Sequence, residues 1–470
     1  MVYRVAGLAG AALTALAGLA LSAAVLPAAA QTAPARPALQ HPSNMKTDYQ
    51  LAQWHLQRGV DQFCAGDAAL LRYPYEAGYR RAVNAAERHE KDTKQKGMLD
   101  AVQKLPVRQS RPDEARAVDA RLAAAASFAS AIAILEKLAA AQPGELSLQR
   151  DLAVATSHLA KVSGIWEKAR NLHQKAVDLQ KAVVAKQPAD KTWPHDLAGL
   201  YQGLGSAQFG MGGEPPARAA KRAELDIREK LAEAEPSNRQ LQHELALNYD
   251  RLGVMFHTIV NVSQARDAFK AGFEIHEKLA KLEPANLAWQ RDFARNRFDA
   301  GDFETSKGRT GTGPDMGAQL LQQALQMRTA IVARDPADVD AQTDLRDNWL
   351  RIAGQFRNGE RPDEAMAVYR QGLAEMRRLA AAHPADPGWL YYQLEFQFMI
   401  GFLIQDEIQP RLGTRTLPPR EKLEAVIAGT DEVFRQMLAT MRELGAQSLR
   451  PETLRIYETA QAPRLCTISL

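Results

Sequence analysis

The sequence predicts an all-α chain laid out as a row of antiparallel helix pairs, and three observations carry that expectation. Ala and Leu dominate, and no segment alternates apolar and polar residues as a half-buried strand would. Prolines recur at Pro143, Pro188, Pro236, Pro284, Pro336 and Pro384, spaced 45, 48, 48, 52 and 48 residues apart. Around each of them the same residue types return at the same distances, and a fixed period of this size marks one structural unit per repeat.

The first element in order is a leader. Arg4 precedes an apolar stretch from Val5 to Leu26, which ends in Ala28, Ala29 and Ala30 before Gln31. That order predicts a secretory signal peptide over residues 1–30, and hence an exported chain, periplasmic or secreted. An uncleaved anchor is the competing reading, but the small-residue end favours cleavage, leaving no membrane span. Pro34, Pro37 and Pro42 among small and polar residues predict a flexible spacer over 31–44. Residues 45–142 are expected to supply helices leading into the array, in a register the sequence does not display. The two cysteines, Cys64 and Cys466, stand near opposite ends of the body. A linear array would hold them apart, which argues against their pairing, and two cysteines exclude a cysteine-rich zinc module.

The repeats span 143–404. Five residues before each proline stands an aliphatic residue (Leu138, Val183, Leu231, Leu279, Ile331, Leu379), and nineteen before it a small one (Ala124, Ala169, Ala217, Ala265, Gly317, Ala365). With apolar or aromatic positions between them, these offsets describe one stripe of a helix of about twenty residues. The proline ends it, because its predecessor is pushed out of the helical region. Two residues later Asp190, Asn238, Asn286, Asp338 and Asp386 can cap a second helix. At the eighth position come Asp151, Asp196, Glu244, Asp292 and Asp344, expected to stabilise helix junctions, each followed by an apolar residue. Small residues at the seventeenth (Ala160, Gly205, Gly253, Gly301, Ala353, Gly401) predict close helix contacts. Residues 405–450 are expected to end in an amphipathic capping helix, and 451–470 in a loose tail.

An aromatic such as Tyr249 or Trp349, a Leu-Gly or Ile-Ala pair, a second aromatic such as Phe256 or Phe356, then Ala265 or Ala365 twelve residues past the small residue, Phe269 or Tyr369, and a closing proline resemble the tetratricopeptide repeat. The match is best in 240–284 and 343–384. The period near 48 exceeds the family's 34, so the resemblance is to a long-helix bacterial variant. It implies an open right-handed superhelical solenoid whose first helices line a concave, partner-binding surface.

The chemistry of enzymes is not written in this sequence. His243-Glu244 and His276-Glu277 lack the second His of a metalloprotease helix, and Lys307–Pro314 lacks the Lys-Ser or Lys-Thr of a phosphate loop and reads as an insertion. Gly203-Leu204-Gly205 reads as repeat packing, and the basic slot holding Arg150, His195, His243 and Arg291 as surface. No catalytic residue, metal ligand or cofactor is therefore expected. With 59 basic against 55 acidic residues spread along the chain, nucleic acid is a poor partner. Two function classes stay open. One is a non-catalytic scaffold binding a protein or peptide in the cell envelope. The other is a polysaccharide-degrading enzyme on an α/α toroid, which the short turns and regular period disfavour. For the scaffold, the residues that vary between repeats on the first helices are the candidates for the binding face: Asp250, His257, Arg295, Phe298, Asp302, Asp347 and Arg357.

Overall fold

The computed structural model describes residues 47–70, 111–188, 190–306, 314–358, 361–384, 386–412, and the isolated positions 435–436, 439–440 and 443. The segments expected to be a signal peptide, a spacer, the Lys307 insertion and a loose tail, and most of the expected capping helix, lie outside the described residues.

Each repeat proline stands two residues beyond a helix end. The helices α1 (Asp48–Leu70), α2 (Arg111–Ala141), α3 (Leu146–Val162), α4 (Trp166–Lys186), α5 (Thr192–Gly210), α6 (Glu214–Ala234), α7 (Arg239–Thr258) and α8 (Val262–Leu282) come first. Then follow α9 (Leu287–Ser306), α10 (Pro314–Arg334), α11 (Val339–Asn358), α12 (Pro362–Ala382) and α13 (Pro387–Leu412). The stop has a backbone cause: Gln187, Glu235, Glu283 and His383, the residues before four of the prolines, sit at ψ of 71°, 68°, 69° and 61°. The restart is capped as expected. Asn238 accepts from the Leu241 amide, Asp338 from the Ala341 amide and Asp386 from the Gly388 amide. The described chain is all-α, and consecutive helices joined by these short turns pack as antiparallel pairs.

The chain divides into two compact units, the first holding α1 to α8 and the second running from Trp289 through α10 to α13. In the first, the long α2 is clamped between α1 and α3: Ala124, Phe128, Ala131 and Leu135 are fully buried with Leu56, Val60, Leu148 and Leu152. Its segment Val118–Ala141 is long and apolar enough to cross a bilayer by length and composition. Its Phe128 ring packs against the bare Cα of Gly59, which ties that helix into the core. Farther along, α3 to α6 share Ala153, Ala176, Val177, Leu197, Leu200 and Leu204. The second unit is centred on Trp389, Phe396, Tyr369, Met376 and Leu345, all essentially inaccessible. Cys64 is bonded as a disulfide, against the expectation that a linear array keeps the cysteines apart. That expectation placed the two cysteines at opposite ends of a straight array; Cys466 lies outside the described residues.

Small residues sit where helices cross. A Cβ added at Gly253 would lie 2.7 Å from the Phe269 ring, and one at Gly301 would lie 3.0 Å from the Leu321 amide and 3.1 Å from the Gly317 carbonyl. The Gly203-Leu204-Gly205 run is packing as well: the His173 ring covers Gly203, and Lys221 covers Gly205.

Candidate binding face

The basic slot at the seventh position and the acid at the eighth form a ladder between repeats. Arg150 Nε donates to Asp196 Oδ2 at 2.6 Å, and His195 Nε2 stands 2.8 Å from Glu244 Oε2. Within the second unit Arg291 Nε donates to Asp344 Oδ2 at 2.6 Å, and Thr343 and Tyr392 share a 2.8 Å hydroxyl pair at the same two positions. At the front, where no repeat precedes, Tyr49 and Gln53 of α1 supply the donors to Asp151. The rungs join residues 46, 49 and 53 apart, one more than the proline spacings. The slot is thus not the surface position expected from the sequence. His243 is fully buried, its ring edge-on to His276 at 5.9 Å, and the carboxylate facing His195 pulls that imidazole's pKa up.

Between α5, α6 and α7 lies a knot of charge that sequence reasoning missed. Glu224 is inaccessible to solvent, and its carboxylate takes Arg228 Nε at 3.0 Å and Arg251 Nη2 at 2.7 Å, with Lys221 Nζ at 3.6 Å. Arg228 also donates to Glu244 at 2.6 Å, so the knot is tied to the ladder. Burial pushes the Glu224 carboxyl up, but Arg251, Lys221 and Arg228 together outweigh it and hold it at about 2. The same burial brings the Lys221 ammonium down to about 8 against the pull of Glu224. The signal was present in the spacing: Lys221, Glu224 and Arg228 stand three and four apart, on the face that repeats elsewhere fill with Phe128, Ala131 and Leu135.

Two further imidazoles are buried without a countercharge. Neither ring nitrogen of His158 has a hydrogen-bond partner among the described residues, and His173 Nδ1 faces the Ser157 hydroxyl at 3.3 Å. Burial depresses both pKa values, that of His173 to about 3. A depressed folded-state value means that the unfolded chain takes up the proton first, near pH 6.5. Stability is therefore complete above that pH and declines as pH falls from about 6.5 toward about 3. His173→Phe, which copies the residue at the same register in Phe128 and Phe269, is expected to flatten this decline. Melting temperatures at pH 7, 5.5 and 4 check it: a slope equal to the wild type's would show that other groups carry it.

The candidate binding residues are placed individually. Asp250 and His257 belong to the first unit, and Arg295, Phe298, Asp302, Asp347 and Arg357 to the second. Asp250 is only 8% exposed, and its carboxylate lies 2.8 Å from His276 Nε2, so it links α7 to α8. His257, in the last turn of α7, is half-buried. Asp302 is ion-paired with Arg351, joining α9 to α11, and the Arg328 guanidinium stacks over Phe298 at 4.2 Å. Arg295 stands 3.7 Å from Asp299 one turn on, and Asp347 2.8 Å from Arg346, with the Asp347 side chain 47% exposed. Arg357 is half-buried in the last turn of α11. The structure brings Asp302 and Phe298 into contact with neighbouring helices and leaves the Asp347 side chain partly open.

Comparison with known proteins places this arrangement in context. Among solved structures, several share the stacked helix pairs. A tetratricopeptide repeat protein from Parabacteroides merdae is 10% identical, covering 67% of this chain and 93% of its own, with a TM-score of 0.31. The chain is similar to tetratricopeptide proteins. YrrB, a tetratricopeptide protein described as having an unusual peptide-binding site, is 15% identical over 55% of this chain and 96% of its own, at a TM-score of 0.25. The nuclear import adaptor Nro1 of S. pombe is 11% identical over 67% and 99%, at 0.38. No family profile and no curated protein matches the sequence.

Proposed function

We propose that the chain is an exported, non-catalytic helical-repeat scaffold that holds a protein or peptide partner in the cell envelope. The observation that supports this reading is a division of labour on the first helices. Positions that recur in every repeat are spent on holding helices together, as the Arg150–Asp196 and Arg291–Asp344 rungs and the Gly253 and Gly301 crossings show. Positions that vary carry charge and aromatic surface that is half open, with Arg295, Asp347 and Arg357 in the second unit. Variable charge displayed on a scaffold of fixed contacts is how a repeat array acquires specificity without changing its frame.

A photo-crosslinking residue at Asp347, introduced in cells, is expected to give one discrete adduct from the envelope. Charge reversal at Arg295 and Arg357 together is expected to reduce that adduct at least fivefold at unchanged helicity and melting temperature. Asp250 is left out of the test, since reversing a carboxylate that faces buried His276 would damage the fold. An undiminished adduct would move the binding face elsewhere on the molecule.

A further inference from the structure

The three turns that join the helices of successive pairs in the first unit carry apolar residues where solvent-exposed turns ordinarily carry polar ones. Ile165 stands between α3 and α4 and Trp166 opens α4, Met211 stands between α5 and α6, and Val260 between α7 and α8, with exposures of 61%, 41%, 43% and 68%. Because the pairs stack in register, all three turns lie at the same end of the unit. The Trp166 ring lies over Gly210, where an added Cβ would meet it at 2.9 Å, so the first turn reaches across to the second.

Val260 is the residue that local structure explains least. It has φ 61°, in the left-handed region that a β-branched residue resists, and it is a non-glycine in this conformation, whereas Gly212 holds the same position of the preceding repeat at φ 77°. A glycine would relieve the backbone, and the valine, 68% exposed, gains little burial in exchange. Strain retained for an exposed apolar side chain points to a use outside the fold.

The shape of this end and its charge choose the partner. Turn tips protrude, and a row of protruding tips cannot wrap a peptide; a cavity of about 160 Å³ lined by Pro236, Gln242, Ile275 and Leu282 opens at the opposite end of the helix pairs. A lipid surface needs no concavity, since it yields around the tips. Between residues 161 and 170 the chain carries Lys161, Lys168 and Arg170 against the single acid Glu167, and Trp beside basic residues suits the depth where headgroups meet acyl chains. We propose that this end of the first unit rests on an anionic lipid surface, with Ile165, Trp166, Met211 and Val260 inserted below the phosphates.

Flotation of the protein purified from cells, with wild type and variants sharing one N-terminus, tests the proposal. With vesicles of phosphatidylglycerol and phosphatidylethanolamine the wild type is expected to float, and more weakly with phosphatidylcholine alone. The variant Trp166→Ser/Met211→Ser is expected to lose at least tenfold in vesicle affinity. Val260→Gly is expected to lose several-fold while its melting temperature holds or rises, a pair of opposite signs that a merely structural role would not produce. Variants that float like the wild type would overturn the proposal. So would a wild type that binds neither vesicle, even if the same variants lost a protein adduct, because the row would then be a protein-docking surface. Arg295→Glu/Arg357→Glu is expected to float normally, which separates this surface from the binding face proposed above.

Discussion

Glu224→Ala is expected to destabilise the first unit by roughly 3–5 kcal/mol, because it leaves Lys221 and Arg251 without a carboxylate beside Arg228, which keeps only Glu244. The loss comes from the uncompensated cations rather than from the worth of the ion pairs themselves, and this can be separated by experiment. Repeats farther along the chain in each direction fill the same three positions with Phe128, Ala131 and Leu135 or with Tyr369, Gly372 and Met376. Lys221→Phe/Glu224→Ala/Arg228→Leu, which leaves Arg251 as the one cation of the knot, should therefore be more stable than Glu224→Ala alone, a reversal that additive contributions cannot give. Urea denaturation of both variants checks it, and a triple variant weaker than the single one would show that the knot is favourable in its own right. The pH dependence follows the depressed carboxyl. Its contribution is complete above about 4.5 and is lost as pH falls toward about 2.

The second large effect is expected at Gly301. At Gly253 the neighbour is the Phe269 ring, which can turn aside, and a leucine there is expected to cost about 1–3 kcal/mol. At Gly301 the neighbours include the Leu321 amide and the Gly317 carbonyl, and a Cβ added at Gly317 would in turn lie 3.0 Å from the Gly301 carbonyl. Two backbones in mutual contact have no rotamer to yield, so Gly301→Leu is expected to cost about 3 kcal/mol or more despite leucine's better helix propensity. Thermal melts of the two variants side by side check the order, and Gly301→Leu melting above Gly253→Leu would reverse it.

What could be read in advance, and what could not, follows from the kind of signal each feature leaves. The repeat prolines, the caps at Asn238 and Asp338, and the glycine at Gly253 recur at one register, so counting offsets was sufficient to find them. The eighth-position acids were found the same way, but their partners were not. A rung joins residues 46 to 53 apart, and no local pattern says that Arg150 looks to Asp196 rather than to Asp151 beside it. The charged knot was missed for the opposite reason: it occurs in one repeat, and averaging over repeats erased it. Asp250 was read as variable and therefore exposed. Variation at a position reports freedom from the repeat's constraint, and here His276 supplies a private one.

The ladder has a consequence for how such a chain can change length. Its donor and its acceptor occupy adjacent positions, and every repeat offers both: one toward the repeat ahead, one toward the repeat behind. Excision of residues 189–236 would remove His195 and Asp196 together and bring Arg150 to the distance in sequence at which it meets Glu244. The lost rung would be replaced by an equivalent Arg–Glu rung. Duplication of the same stretch would insert one further rung of the His–Asp kind. The joints are interchangeable, so the molecule is free to gain or shed whole units while any cut that is not a whole unit leaves two unmatched charges at the seam.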